Sequence, residues 1–441
     1  MLISVIAAVL AVQTVQVQEQ TQAATVITLE QALEIALSEN ISVKVADREI
    51  ERTQYAKRGT YASLFPQIDA SGSFQRTLQK QKMYVDIPGM EDGMEVGRWN
   101  SWSAGISASM PLVNAQLWKS LEISGQDVEL AVEKARSSRL DMVTQVKNAY
   151  YAVLLAKEVG KVYQSVYDNA KANLEQTEKK FNVQKASEMD LVRAKANLAN
   201  AVPNLYDSAN SIAIALWQLK AVIGMNLDED IDVSGSLSDY TSQMDSLQED
   251  TGNLSLENNS TLKQLSIQGE QLANAIKTQQ YAYIPSLALA FNYALTATDN
   301  SLNFSEYKWS PYSMVGLSLS IPIFSGGRRL SAVRQSKIQM DEFALQREDA
   351  ERQLKIGLRQ CVNTMETSVK SFQSAQDACQ TAQKAYSIAQ RSFNVGRSTL
   401  TDLNDAQLVL VQSQLNVSQS IYTFLVAKSS LEQMLGNDFT R

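Results

Sequence analysis

The sequence predicts a mainly α-helical fold with a membrane β-barrel contribution, built as a tandem duplication of a β-hairpin followed by a long coiled-coil helical hairpin. Three observations predict it. First, the chain repeats itself: Lys180-Phe181-Asn182-Val183, followed by Asp190-Leu191, returns as Ser392-Phe393-Asn394-Val395, followed by Asp402-Leu403, at an offset of 212 residues. Second, two pairs of segments alternate apolar and small or polar residues with a period of two, the pattern of half-buried strands. Third, each pair is followed by a stretch almost free of Gly and Pro, which favours long uninterrupted helices.

The duplication accounts for most of the chain. The same offset of 212 carries Gly224 onto Gly436, and the stripe Leu191, Leu198, Leu205, Ile212, Leu219 onto Leu403, Leu410, Val417, Phe424, Leu431. Upstream, Asn40 and Pro66 map onto Asn259 and Pro285 at an offset of 219. The register changes only between Pro66 and Pro111, 45 residues apart, and between Pro285 and Pro322, 37 apart. Insertions are tolerated in exposed loops, so both intervals read as strand, loop, strand.

In chain order, 1–24 reads as a secretory signal. Leu2 to Val12 is apolar, the first charged side chain is Glu19, and Thr21 and Ala23 suit a cleavage site. A buried strand is the other reading of this segment. Residues 25–66 form a helical segment: Thr28 caps, Glu30 and Gln31 occupy the first turn, and a break falls near Asn40. Residues 67–112 form the first hairpin, with Ile68, Ala70, Gly72, Phe74 and then Trp102, Ala104, Ile106, Ala108, Met110 on one face. Residues 113–225 form the first helical hairpin. Its first helix runs from Asn114 to about Phe181, and Pro203 is expected to kink its second helix.

Residues 226–284 read as a polar linker, with little core of its own before Asn258, and then the helical start of the second repeat, Asn259 to about Tyr281. Residues 285–323 form the second hairpin, with Leu287, Leu289, Phe291, Tyr293 and then Val315, Leu317, Leu319, Ile321 on one face. The second helical hairpin spans 324–436, and 437–441 is a C-terminal tail. The seven-residue stripes on the second helix of each hairpin read as coiled-coil packing.

Each alternating run has the length a tilted strand needs to cross a bilayer, about 9–11 residues. A soluble β-sandwich face shows the same alternation. Trp99, Trp102, Tyr307, Trp309 and Tyr312 sit at strand ends, where membrane-interface aromatics belong. Four strands cannot close a barrel, since membrane barrels start at about eight, and an open edge cannot face lipid. A homotrimer would supply about twelve strands.

Composition narrows the function classes. His is absent, which removes the commonest general base and metal ligand. No Ser/His/Asp arrangement, Walker loop, GxGxxG or CxxC occurs, so no catalytic residue, metal or cofactor is expected. The net charge of -7 disfavours a nucleic-acid partner. Cys361 and Cys379 lie 18 residues apart, which on one helix is about 27 Å, too far for a disulfide. A soluble coiled-coil scaffold would explain the helices but not the signal segment or the strand pairs.

The sharpest local motif is the break between the paired helices, from Phe393 to Ala406. Gly396 permits the turn, and Thr399 or Ser398 can cap the next helix. Asp402 and Asp405 share a helix face away from Leu403. In a trimer they would set about six carboxylates around one axis, a cation-selecting constriction. The plainer reading, favoured by spacing alone, is that Asp in a first turn complements the helix dipole.

Taken together the pattern resembles the TolC-like outer membrane efflux proteins. Phe181, Asn182, Val183 and Asp190, and Phe393, Val395, Gly396 and Arg397, look like that family's two helix-hairpin tips. Pro111-Leu112 and Pro322-Ile323-Phe324-Ser325-Gly326-Gly327 look like its strand-to-helix junctions. The resemblance implies a homotrimer with a twelve-stranded β-barrel in the outer membrane of a Gram-negative bacterium and a long periplasmic α-barrel, with 25–66 and 226–284 forming the equatorial region. The tip residues would dock a periplasmic adaptor protein, linked to an inner-membrane transporter, and Asp402 and Asp405 would be the aspartate constriction. The expected function is an exit duct of a tripartite efflux system, the alternative being a duct for type I protein secretion.

Overall fold

The computed structural model describes residues 25–84, 93–245 and 254–437. The expected signal at 1–24 lies outside them, as do 438–441 of the expected tail. In chain order the elements are β1 (Thr25–Ile27), α1 (Leu29–Glu39), α2 (Ile41–Ala62), β2 (Gln67–Arg76), β3 (Gln81–Met83), β4 (Met94–Val96), β5 (Asn100–Val113), α3 (Ala115–Asn182) and α4 (Glu188–Ile223). There follow β6 (Ile231–Val233), α5 (Ser242–Asp245), α6 (Ser260–Tyr281), β7 (Ser286–Asp299), β8 (Ser310–Ser320), α7 (Arg328–Asn394) and α8 (Leu400–Leu435).

The duplication is visible in element lengths. α2 and α6 have 22 residues each, α4 and α8 have 36 each, and α3 and α7 have 68 and 67. α7 starts three residues beyond its expected beginning at Ser325, because Gly326 and Gly327 both adopt positive φ and hold the chain out of the helix.

Packing divides the chain into two compact units, one of 1–40, 143–249 and 364–429 and the other of 41–142, 250–363 and 430–441. The second holds a four-stranded antiparallel sheet in the order β2-β5-β7-β8. The register aligns the alternation of all four strands. Ile106 faces Tyr293 and Ala108 faces Phe291, while Leu289 in turn faces Leu317. The apolar residues therefore form one continuous face, and Ser73, Ser103, Thr296 and Ser310 lie on the other. The extra length of the first hairpin is where the repeat offsets placed it: the connection from β2 to β5 carries a small β3–β4 hairpin. The connection from β7 to β8 holds one 3-10 turn at Phe304–Glu306. In the same unit Asn259 caps α6 through the Leu262 N–H, and its amide donates to the Met434 carbonyl at 2.7 Å.

The first unit repeats that joint. Thr28 and Gln31 form a reciprocal capping box at the start of α1, and Asn40 ends the helix and donates to the Val222 carbonyl at 2.7 Å. Asn40 and Asn259 are thus equivalent in structure: each satisfies a carbonyl two residues before the glycine, Gly224 or Gly436, that follows the second long helix. The end of a helix leaves carbonyls without intrahelical partners, which is why a buried amide recurs there.

Two expectations need correction in this unit. The linker is not without a core. β6 pairs in parallel with β1, and Ile231, Val233, Leu237 and Met244 are buried. The Tyr150 hydroxyl donates to the Ser234 carbonyl at 2.7 Å, and Lys157 donates to the Val233 carbonyl and pairs with Asp232. A three-residue strand is too short for periodicity to reveal. The second correction concerns α4. Of the expected stripe, Leu219 is fully buried but Leu191, Leu198, Leu205 and Ile212 are half-buried, and Ala194, Ala201, Ser208 and Ala215 are buried beside them. In α8 the predicted stripe is buried at Leu403, Leu410, Phe424 and Leu431. α4 runs unbroken through Pro203. The two cysteines lie on α7 and are both free thiols, and burial pushes the Cys361 thiol up from its ordinary pKa.

Candidate functional site

The two turns that join the long helices are built alike. Each first helix ends in the same motif: the Gln184 N–H donates to the Phe181 carbonyl and the Lys185 N–H to the Lys180 carbonyl, and Gly396 and Arg397 do the same to Phe393 and Ser392. The residue that turns the chain takes left-handed backbone angles, φ 60° at Gln184 and 75° at Gly396. Among the described residues Gln184 is the only non-glycine with positive φ. Replacing Gln184 with Gly is expected to stabilise the first turn by about 1 kcal/mol, and Gly396→Ala to destabilise the second by a similar amount. Space is not the obstacle at Gly396, since a Cβ there would meet nothing within 4 Å. Amide exchange over 180–190 and 392–402 reads both changes.

Each second helix then opens on a reciprocal capping box. The Ser187 N–H and hydroxyl donate to the Asp190 carboxylate at 3.1 and 2.7 Å, and the Asp190 N–H returns to Ser187 Oγ. The Thr399 N–H and hydroxyl donate to Asp402 at 2.9 and 2.8 Å, and the Asp402 N–H returns to Thr399 Oγ1. These bonds hold both carboxyls below the usual aspartate range: for Asp190 chiefly the Ser187 hydroxyl, for Asp402 chiefly the Thr399 backbone N–H. A carboxylate with a lowered folded pKa keeps its stabilising contact above its unfolded value and loses it only as pH falls through the lowered one. Both caps are therefore closed at neutral pH.

Asp402 and Asp405 are exposed, while Leu403 between them is fully buried, as helical spacing requires. Only Asp405 has a carboxylate free of the cap. Its repeat equivalent is Arg193, which donates to Thr401 Oγ1 at 3.2 Å. Of the other turn residues, Phe181, Asn182, Val183, Val395, Gly396 and Arg397 are exposed and Asp190 is half-buried. Phe393 differs: it is buried in a cluster with Tyr386, Leu400, Leu403 and Leu410, and so supports the turn from beneath rather than offering a surface. Lys180 from the first repeat also lies against it. The Lys180 ammonium donates to the Phe393 carbonyl at 2.7 Å and lies 4.2 Å from the centroid of its ring. Desolvation lowers the pKa of this ammonium. Lys180 and Arg193 were missed as site residues, although comparison at the 212-residue offset pairs Arg193 with Asp405 and so marks a reversal of charge.

At the loop end of the sheet the aromatic residues gather. Phe74 stacks on Trp102 with ring centroids 4.4 Å apart, and Phe304 links Trp102, Tyr307 and Trp309 at 5.6, 6.0 and 5.7 Å. Trp99 lies beneath the Lys80 ammonium, 4.5 Å from its ring centroid. Tyr312 is a correction. It pairs with Ala294 on the serine-bearing face, where its hydroxyl contacts Met314 Sδ, and so does not lie on the apolar face with Val315 and Leu317. Its even number in β8 places it with Met314 and Ser318, opposite Val315 and Leu317. No described helix is long and apolar enough to cross a membrane, which says nothing of strands.

A family model for outer membrane efflux proteins matches residues 32–225 and again 251–437. The chain belongs to the outer membrane efflux protein family. The double match repeats the duplication read from the residues. Outer membrane protein TolC of Salmonella enteritidis is 23% identical over 344 residues, covering 76% of this chain and 69% of that protein. Alkaline protease secretion protein AprF of Pseudomonas aeruginosa is 21% identical over 348 residues, covering 77% and 70%. Among solved structures, the CmeC outer membrane channel of Campylobacter jejuni superposes with a TM-score of 0.72 at 18% identity, covering 92% of this chain and 85% of that one. The resemblance to TolC-like efflux proteins and the mainly helical fold with a β contribution both stand. Family membership sets the chain among outer membrane efflux channels rather than enzymes.

Proposed function

We propose that three copies of this chain close into one exit duct. Their sheets form a twelve-stranded barrel in the outer membrane, and their helical hairpins form a periplasmic conduit. A periplasmic adaptor protein joins that conduit to an inner-membrane pump. The duct does no chemistry and passes what the pump delivers.

One observation carries this reading. Four strands share one apolar face, and both outer strands are exposed at every residue. Backbone groups on an open edge have no partner in lipid, so β2 of one copy must meet β8 of the next. In cells, the chain is expected in the outer-membrane fraction, running on gels as a trimer that collapses to a monomer on heating. A monomer that stays soluble without detergent would overturn the duct.

Phe181, Asn182, Val183, Asp190, Val395, Gly396 and Arg397 form the adaptor-docking region, and Asp402 and Asp405 the constriction. Since the Asp402 carboxylate is held in its helix cap, Asp405 contributes the larger share of cation selectivity. Asp405→Ala should shift the reversal potential in planar bilayers away from cation preference, and Asp402→Ala should shift it less. Unchanged selectivity in the double variant would remove both residues from the constriction. The similarity to AprF supports a second reading, a duct for secreted polypeptides. A polypeptide crosslinked in transit to the helix turns would favour it over small-molecule efflux.

A further inference from the structure

The helices that adjoin the sheet follow the order of its strands. α2 meets α3 through the Asp47–Arg139 ion pair at 2.6 Å, and α3 meets α6 through the Gln126 carbonyl and the Asn274 amide at 3.1 Å. α6 meets α7 where Gly269 lies against Phe343. α2 and α7 are therefore the outer helices, as β2 and β8 are the outer strands.

Both outer helices present large apolar side chains to the open. Ile41 and Tyr55 of α2 are 76% and 60% exposed, and Ile338 and Leu345 of α7 are 57% and 68% exposed. These side chains stand on the faces turned away from the neighbouring helix. Ile41 lies two residues from buried Val43, Tyr55 two from half-buried Thr53, and Ile338 and Leu345 two from half-buried Ser336 and Phe343. Two residues are about 200° around a helix.

The duplication says what fits these faces. α2 and α6 both have 22 residues and start after equivalent asparagines, so the offset of 219 holds along them. α3 and α7 run unbroken to the turns where the offset of 212 is fixed, so that offset holds along them too. The α3–α6 seam joins the first repeat to the second within one chain. There Asn274 donates to Gln126 and to Glu122 at 3.1 Å each, and the Ser260 hydroxyl donates to the Glu133 carbonyl at 3.2 Å. The two offsets carry Asn274 onto Tyr55, Gln126 onto Ile338, Ser260 onto Ile41 and Glu133 onto Leu345. Asn274, Gln126 and Ser260 are buried and Glu133 is half-buried, whereas all four counterparts are exposed.

We infer that α2 of one copy docks on α7 of the next through a seam placed like the α3–α6 seam but apolar, with Tyr55 against Ile338 and Ile41 against Leu345. The inference rests on the three-copy reading and deepens it, since a β2–β8 joint between copies brings α2 and α7 side by side. Between the two apolar pairs the same spacing sets Arg48 opposite Asp341. Arg48 bonds Glu51 of its own helix at 2.7 Å, an exposed pair that exchanges partners at little cost. The polar seam closes as one chain folds. The apolar one stays open until a second copy covers it, so its burial favours assembly.

The test uses the full-length chain carrying Cys361→Ser and Cys379→Ser, in isolated outer membranes. A short bismaleimide spans the distance between packed helix axes, about 8–10 Å. With Tyr55→Cys and Ile338→Cys together it should join the chains into a covalent trimer that survives boiling, and with either cysteine alone it should join none. Ile41→Cys with Leu345→Cys supplies a second pair should the first not assemble. Asp341→Arg should lower the temperature at which the trimer collapses, and adding Arg48→Asp should restore it. A heat-labile trimer that forms in both cysteine pairs without a covalent link would overturn the inference and leave the duct intact. Links in the single-cysteine variants would mean that like helices meet, and links to another protein would give the face to the adaptor; either overturns it. Failure of the wild type to form any trimer would overturn the duct reading and this one together.

Discussion

Leu317→Arg is expected to abolish assembly of the proposed barrel, and Ser318→Arg, one residue away, is expected to leave it intact. Leu317 sits mid-strand in β8, opposite Leu289 on the apolar face, and is 67% exposed in the single chain. An arginine on the lipid side near the midplane costs about 2–4 kcal/mol per chain, and a trimer bears it three times. Ser318 faces the other way, beside Gly316, where a wet lumen solvates a charge. Heat-modifiable migration and outer-membrane fractionation report both variants. Equal assembly of the two would mean that the apolar face does not meet lipid.

Leu403→Ala is expected to have the second large effect, a local one. Leu403 is fully buried at the centre of the cluster that includes Tyr386, Phe393, Leu400 and Leu410. Removing three carbons there costs about 2–5 kcal/mol, and the loss falls on the turn and on the first turns of α8. Amide protection over 392–406 should drop and trypsin should cut at Arg397, while the trimer and the sheet persist. Leu403→Met, which conserves volume, should cost less than about 1.5 kcal/mol. Unaltered protection in Leu403→Ala would show that the turn draws its stability from elsewhere.

Much of this was legible because the duplication lets each half check the other. Asn40 and Asn259 stood out as repeat markers, and both prove to close a helix end through the same hydrogen bond. Thr28 and Gln31 announced their capping box. The four alternating runs gave the sheet, because a period of two over ten residues has few other meanings, and its aligned register leaves a soluble scaffold without a use for the apolar face. The features that were not legible depend on contacts distant in sequence. β1 and β6 are three residues each, and neither carries a pattern without the other. Phe393 is met by Lys180, 213 residues away, and packs among Ala194, Tyr386 and Leu403, and no local reading of Phe-Asn-Val foretells which of two matched phenylalanines is covered. The small-residue seam of α4 was hidden behind its leucines, which weigh more in any hydrophobic pattern although Ala194 and Ala201 are buried more deeply than Leu191, Leu198 and Leu205.

Arg193 and Asp405 occupy one position in the two halves and carry opposite signs. Six identical hairpins, assembled without fusion, would crowd a single sign of charge into one circle and repel one another. Tandem fusion lets the two halves carry opposite signs at this one position. The halves have thereby ceased to be interchangeable: a chain rebuilt from two first halves, or from two second ones, would carry one sign twice at this position.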